Sequence, residues 1–171
     1  MLVKKALIIA AVAYLSLSVI LLAAEDSVTV EVSFSIVPFA TISLSGGPES
    51  GSVQVATSIP TPTSVDVARG YLELPSAVSL TVASNTHWTV FVQALSRTLG
   101  TSYDGVFTWD IAALRVGTKG GFVPVSMDPQ AVVQGIQGEH PVSVDYRISL
   151  PETGLPEGNY EATLLYTITS L

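Results

Sequence analysis

The sequence predicts an all-β protein: an immunoglobulin-like or Greek-key β-sandwich that follows an N-terminal signal peptide. Two observations carry this prediction. Apolar and polar residues alternate with a period of two in several short runs, which is typical of strands with one buried face. Gly, Pro, Asn or Asp separates most of these runs, and many short strands with frequent turn signals favour a sandwich over βαβ units.

The composition indicates one folded domain and excludes several classes of site. Of the 171 residues, 48% are hydrophobic and 12% are charged, a balance too apolar for a disordered chain. The absence of cysteine excludes disulfides, thiolate metal sites and a Cys nucleophile. From Glu25 onward the chain has five basic and 14 acidic residues, a formal net charge of −9. Because phosphate binding needs clustered Lys and Arg, no nucleic-acid partner is expected.

Residues 1–24 predict a signal peptide, which leaves residues 25–171 as a single β-sandwich domain. Lys4 and Lys5 precede an almost unbroken apolar run from Ala6 to Leu22, and two alanines follow before Glu25. This order predicts cleavage near Ala24 and a secreted or cell-surface protein. Two alternatives stay open. The run is close to the ~20 residues that span a bilayer, so a retained apolar helix is one; a leader similar to that of type IV pilin-like proteins, which keep the helix, is the other.

The first predicted strand comes directly after this segment. Five apolar residues alternate with polar ones between Ser27 and Ile36, namely Val28, Val30, Val32, Phe34 and Ile36. Pro38 interrupts the pattern because proline cannot donate to a ladder. Phe39 to Leu44 then forms a second strand, or the same strand after a bend. Residues 45–64 are rich in Gly, Ser, Thr and Pro and predict a loop with one edge strand around Val53 and Val55.

Eight further strands are predicted along the rest of the chain: Tyr71–Leu74, Ala77–Ala83, His87–Leu95, Val106–Trp109, Leu114–Val116, Phe122–Ser126, Val142–Leu150 and Tyr160–Thr169. Single helical turns are expected at Asp110–Leu114 and at Asp128–Val133. The connection between the last two strands is too long for a two-residue hairpin turn. These two strands therefore either pair directly or lie in opposite sheets.

Two segments resemble known surface proteins. The sequence ASNTHWTV at 83–90 is similar to the SNxxWxLxV strand of secreted bacterial WxL-type surface domains. The sequence LPEGNYEATLLYTIT at 155–169 is similar to the closing strand of that group and of spore-coat-U and related pilin-like β-sandwich families. The resemblance implies a sandwich whose motif residues are Trp88, Val90, Tyr160 and Tyr166. Trp88 and Val90 share one strand face, which favours a core position for the indole.

No residue pattern indicates catalysis, a metal or a cofactor. His87 and His140 lack a partner at metal-ligand spacing, and no serine lies in a Gly-x-Ser-x-Gly elbow. Asp104, Asp110 and Asp128 lie in turn regions without a calcium-loop pattern, which favours turn capping. The protein is therefore not expected to be an enzyme.

The pattern before Pro38 leads to a functional hypothesis. An exposed chain end with alternate apolar side chains is the form of a donor strand that completes a neighbour's sheet. We therefore expect an extracellular structural subunit of a filament, pilus-like fibre, coat or surface layer, with identical subunits as partners through strand exchange, or a cell-envelope component. The same segment could instead be the first strand of its own sandwich.

A second function class is a cell-surface binding module, either an adhesin or a domain that binds cell-wall glycan or protein. Its candidate residues are aromatic, because aromatic rings stack on sugar rings: Trp88, Phe91, Tyr103, Phe107 and Trp109. No repeated aromatic or acidic cluster on one loop supports this class, so the structural hypothesis leads.

Overall fold

The computed structural model describes residues 33–119 and 121–170. The predicted signal peptide and residues 25–32, which include Val28, Val30 and Val32 of the predicted donor strand, lie outside the described residues. The chain divides into two units, residues 1–36 and 37–171. All the strands and helices described below belong to the second unit.

The second unit consists of two antiparallel sheets packed face to face, which confirms the predicted β-sandwich. Its strands are β1 (Ala40–Leu44), β2 (Ser52–Ser58), β3 (Tyr71–Ser84), β4 (Trp88–Ala94), β5 (Thr98–Ser102), β6 (Thr108–Asp110), β7 (Leu114–Thr118), β8 (Gly121–Pro124), β9 (Gln130–Gly135), β10 (Gly138–Ser149) and β11 (Gly158–Ser170). Sheet I has the order β1-β3-β10-β7-β8. Sheet II has the order β6-β5-β11-β4-β9, and β2 also pairs with β11.

Two long antiparallel strands, β3 and β10, form the centre of sheet I. Tyr71–Leu74 and Ala77–Ala83, predicted as separate strands, are continuous in β3. A bulge joins them at Pro75 and Ser76, where Ser76 has φ 52°. Proline is tolerated at such irregular positions because they need no ladder N–H.

The last two strands, β10 and β11, lie in opposite sheets, which settles the alternative left open by their long connection. Their inward faces meet in the core, where the hydroxyl groups of Tyr146 and Tyr166 lie 3.0 Å apart. Both side chains are fully buried. A buried hydroxyl without a hydrogen-bond partner lowers stability, and here each tyrosine hydroxyl provides that partner for the other.

Several elements differ from the sequence-based expectation. The helical turn predicted at Asp128–Val133 is wrong: the segment contributes to β9, which pairs with β4. By contrast, the edge strand expected around Val53 and Val55 is confirmed as β2, which pairs with β11 over seven residues. Strand β5 was not predicted, because it contains Gly100 at φ +144° and is read as a turn.

Helical structure in the described residues is short. Helix α1 (Ser64–Arg69) was not predicted; Thr63 caps it in a capping box with Asp66, a signal that the Pro-rich surroundings obscured. The turn expected at Asp110–Leu114 is present as a 3₁₀ helix, Ile111–Ala113. Over residues 33–119 and 121–170, no helix has the length and apolar character needed to cross a membrane.

The described part of the predicted first strand, residues 33–36, has no strand assignment. The side chains of Phe34 and Ile36 are 83% and 73% exposed. The residues that follow are held by Asn85, whose Oδ1 accepts the Phe39 N–H at 2.8 Å and whose Nδ2 donates to the Val37 carbonyl at 3.0 Å. The chain therefore enters β1 from a position fixed at the end of β3.

Candidate acceptor groove beside β10

The two halves of β10 have different neighbours. Residues 146–148 pair with β3 on one side and with β7 on the other, and Asp145, opposite the β3 bulge, pairs with β7. Residues 138–144 pair with β3, and no other described strand pairs with them. The reason is that β7 ends at Thr118 and β8 turns back against it. Among the residues that the structure describes, one edge of β10 is therefore open over about half of its length.

The backbone groups on this open edge follow from the register. The Ser79 carbonyl accepts a hydrogen bond from the Ser45 N–H, so the backbone groups of Ser79 face β1. Those of the next residue, Leu80, therefore face β10, where Leu80 lies opposite Val142. The backbone groups of Val142 in turn face β3. Backbone groups alternate between the two edges of a strand. The groups on the open edge consequently belong to Glu139, Pro141 and Ser143. Pro141 offers a carbonyl but no N–H, as expected for proline on an edge.

A groove of about 700 Å³ lies between this edge and β9 of sheet II. Its apolar lining includes Trp88, Val133, Ile136, Pro141 and Val142, and the ring of His140 lies among them. Lys119 and Asp145 lie at the end where β7 stops. The groove is thus an apolar channel that runs along a strand edge.

The indole of Trp88 forms the floor of the groove and is 2% exposed. Its Nε1 donates to the Ile136 carbonyl at 2.7 Å. Gly135 makes this position possible, because a Cβ there would lie 2.1 Å from the indole Cζ2. Strand β9 can approach the ring closely only with glycine at that residue.

His140 holds the turn at the other end of the groove. Its Nε2 lies 3.1 Å from the Ile136 carbonyl and 3.2 Å from that of Gln137. Since a carbonyl oxygen accepts, Nε2 carries the proton. The imidazole also packs against Trp88, with ring centroids 5.8 Å apart. His140 therefore has a structural role in which it links β10 to the loop after β9.

The other predicted motif residues lie in the core, away from the groove. Val90 and Tyr166 are fully buried, and Tyr160 is 8% exposed. The Tyr160 hydroxyl donates to the Pro156 carbonyl at 3.0 Å, and its ring meets Trp109 edge to face at a centroid distance of 5.3 Å. Tyr160 lies at the end of β11 that pairs with β5, far along the strand from Ser170, the partner of Trp88. Val90 lies two residues from Trp88 on β4, but of the four motif residues only Trp88 lines the groove.

The aromatic residues considered for sugar binding are not on one surface. Trp88 and Trp109 are buried, whereas Tyr103 is 71% exposed. The Tyr103 hydroxyl donates to Asn159 Oδ1 at 3.0 Å. Phe91 and Phe107 are partly buried, so Tyr103 is the most exposed of the five rings.

Two of the three turn aspartates, Asp104 and Asp110, cap backbone groups, whereas Asp128 takes part in its turn through its backbone N–H and carbonyl. Asp110 Oδ1 accepts the Ala112 N–H at 2.7 Å, and Asp104 Oδ1 accepts the Val106 N–H at 3.0 Å. Hydrogen bonds from the Ser102 hydroxyl and from Val106 hold the pKa of Asp104 below its usual value. In residues 33–119 and 121–170, no three His, Cys, Asp or Glu side chains are arranged to hold a metal ion.

In comparisons with known proteins, no family model, no curated protein and no solved structure matches this chain. The groove and the sequence before β1 are the two features of this chain that bear on its function. Sequence reasoning missed the groove, although Pro141 inside the regular alternation of β10 was a signal of an edge.

Proposed function

We propose that this protein is an extracellular structural subunit that assembles into a filament, pilus-like fibre, coat or surface layer when its N-terminal segment adds as a strand to a neighbouring subunit. The observation that supports this most is the open edge of β10 beside an apolar groove. The same chain carries a segment of alternate apolar residues ahead of β1.

The energetics of such a joint are favourable. Each fully buried large apolar side chain contributes ~1.5–3 kcal/mol, and an added strand also satisfies the open backbone groups of an edge. A contact between flat surfaces would lack these buried side chains and strand hydrogen bonds. It would therefore offset less of the repulsion between subunits that each carry a net charge of −9 from Glu25 onward. Strand addition therefore explains assembly better than surface contact does.

Export belongs to this proposal. The leader would be removed near Ala24, and the subunit would act outside the cytoplasm. Intact-mass measurement of secreted protein tests this point, with a mature chain that starts near Glu25 as the expected result. A full-length mass, or a cut between Lys5 and Ala6, contradicts it.

The assembly itself is tested with two variants of the same charge. Val32→Asp places a carboxylate on the apolar face of the donor, where it would enter the groove without a partner. Ser35→Asp places the same charge on the polar face and serves as the control. Size-exclusion chromatography and negative-stain microscopy should show linear oligomers for the wild type and Ser35→Asp, and monomers for Val32→Asp. A wild type that stays monomeric at all concentrations contradicts the proposal.

A deletion provides a second test. Protein that lacks residues 25–37 should not assemble, and it should bind a synthetic peptide of that sequence. If the deletion variant still forms the same oligomers, the N-terminal segment is not the donor.

The alternative function, a cell-surface binding module, has one observation in its favour. The exposed ring of Tyr103 lies beside a cleft of about 280 Å³ lined by Pro60, Pro62, Leu155 and Pro156, a surface suited to the apolar face of a neutral sugar. Calorimetric titration with chitohexaose tests it. Binding that is lost in Tyr103→Ala, by a protein that stays monomeric, would favour this alternative.

A further inference from the structure

We infer that the groove beside β10 receives residues 29–34 of a second copy of this chain, antiparallel to β10, with the donor's N-terminal end beside Lys119. This inference rests on the proposed function and adds the acceptor, the direction and the register.

The open edge matches the donor in length and in face. Thr118 occupies the position opposite Val144 in the β7 register, so residues 138–143 are available to a new strand. His140 and Val142 direct their side chains into the sandwich. Directly opposite residues in an antiparallel pair share a face, so the apolar side chains of the donor would meet this wall while its polar residues face solvent.

The register between the donor and β10 follows from Gly138, the first residue of β10. Gly138 has no side chain and adopts φ +119°, and an aromatic residue opposite a strand glycine covers the space that glycine leaves. With Phe34 opposite Gly138, Val32 lies opposite His140 and Val30 opposite Val142. Phe34, one of the most exposed apolar residues described, thereby gains a partner.

The direction follows from charge. The only charged residues of the segment 25–36 are Glu25, Asp26 and Glu31, and the first two precede the apolar run. Lys119 lies at one end of the groove, and Glu139 lies at the other end, on an exposed position of β10. An antiparallel donor brings its acidic start to Lys119, whereas a parallel donor brings it to Glu139.

Asp145, which also lies at the Lys119 end, does not reverse this preference. Its Oδ1 accepts the Ser76 N–H at 2.8 Å, so the carboxylate is engaged on the outer face of sheet I. An antiparallel strand also agrees with the rest of the fold, in which every described strand pair is antiparallel.

The other internal strand of sheet I with an uncovered stretch, β3, is a poorer acceptor. Residues 71–78 of β3 pair with β10, and β1 covers β3 from residue 80 onward. Pro75 and the positive-φ Ser76 interrupt that edge. Both edges contain a proline, but Pro75 and Ser76 lie in a bulge that breaks the register with β10, whereas residues 138–144 pair with β3 without a register shift. Because a bulged edge resists strand addition, the β10 edge is preferred.

The absence of cysteine from the chain makes disulfide trapping a clean test. Donor variants carry Thr29→Cys or Ser33→Cys, and acceptor variants with an affinity tag carry Ser143→Cys or Glu139→Cys. Full-length chains are expressed, mixed in the four donor–acceptor combinations, refolded together from urea and oxidised with diamide. All four positions are on polar faces, so the apolar contacts are retained.

The expected result is a cross-linked heterodimer for Thr29→Cys with Ser143→Cys and for Ser33→Cys with Glu139→Cys, because directly opposite residues reach disulfide distance. The crossed combinations should give little product. The reverse pattern would show a parallel donor and overturn the inference. Oligomers without any of these cross-links would also overturn it while leaving the proposed function intact. Monomers throughout would contradict both.

Discussion

The two halves of β10 belong to one strand with one inward-facing apolar pattern, yet their surroundings differ. Tyr146 and Ile148 lie between β3 and β7 and are 1% exposed. In the other half, Val142 is 8% exposed and His140 is partly exposed, beside a groove that no described strand fills. The difference arises because β7 is shorter than β10, and it separates a half that is paired on both edges from a half that we propose receives a partner strand.

The largest effect is expected from the floor of the open half. Trp88→Ala should lower the free energy of unfolding by ~3–5 kcal/mol, because it leaves a cavity beneath the groove. Urea unfolding measures this change. Tyr103→Ala is the control and should stay within ~0.5 kcal/mol, since its ring is largely exposed. Coincident melts for wild type and Trp88→Ala would mean that the indole is not packed as described.

A smaller effect is expected from the tyrosine pair in the closed half. Tyr146→Phe leaves the buried Tyr166 hydroxyl without its partner and should cost ~1–3 kcal/mol. The double variant Tyr146→Phe, Tyr166→Phe removes both hydroxyls and should be more stable than the single variant. A double-mutant cycle from urea melts decides, and strictly additive effects would contradict a direct hydrogen bond.

The same pair predicts how stability depends on pH. Burial raises the pKa of Tyr166 and of Tyr146 above that of a free tyrosine. The folded state therefore keeps both phenols neutral, while the unfolded chain ionises near pH ~10. Their contribution to stability is complete below that pH and is lost as the pH rises above it. Urea melts from about pH 8 to about pH 11.5 should show this decline. An equal decline in the double Phe variant would assign it to other groups.

The smallest effect on the monomer is expected at the open edge. Pro141→Ala restores an N–H that faces the groove, and it should change monomer stability by less than ~0.5 kcal/mol. One more ladder hydrogen bond is worth ~0.5–1.5 kcal/mol, so the peptide of residues 25–37 should bind about 2- to 10-fold more tightly. Fluorescence anisotropy with labelled peptide measures this. Unchanged or weaker binding would mean that Pro141 does not face the donor.

The sequence predicted the strands whose alternation is regular and failed where local and tertiary signals disagree. The alternation of β10 and β11 identified both strands, because one face of each is buried. A helical turn was expected at Asp128–Val133, after Ser126, and pairing with β4 makes residues from Gln130 onward a strand instead. Strand β5 was missed because its glycine fits a turn as well as a close approach to β11.

The candidate site was less predictable than the fold. The proposed donor segment is visible in the sequence because its alternating pattern is local. The groove depends on where β7 stops relative to β10, and that is a property of strand pairing between residues about 30 positions apart. Gly135 and Pro141 were both present as signals, but a glycine under an indole cannot be distinguished from a turn glycine by sequence alone.

Amide hydrogen exchange along β10 tests the central claim most directly. In the monomeric Val32→Asp variant, the amides of Glu139 and Ser143 should exchange rapidly, whereas those of Asp145 and Arg147, which face β7, should be protected. In wild-type assemblies, Glu139 and Ser143 should become protected while Asp145 and Arg147 stay unchanged. Equal exchange at Glu139 and Ser143 in monomer and assembly would contradict the account, because no strand would then occupy the open edge.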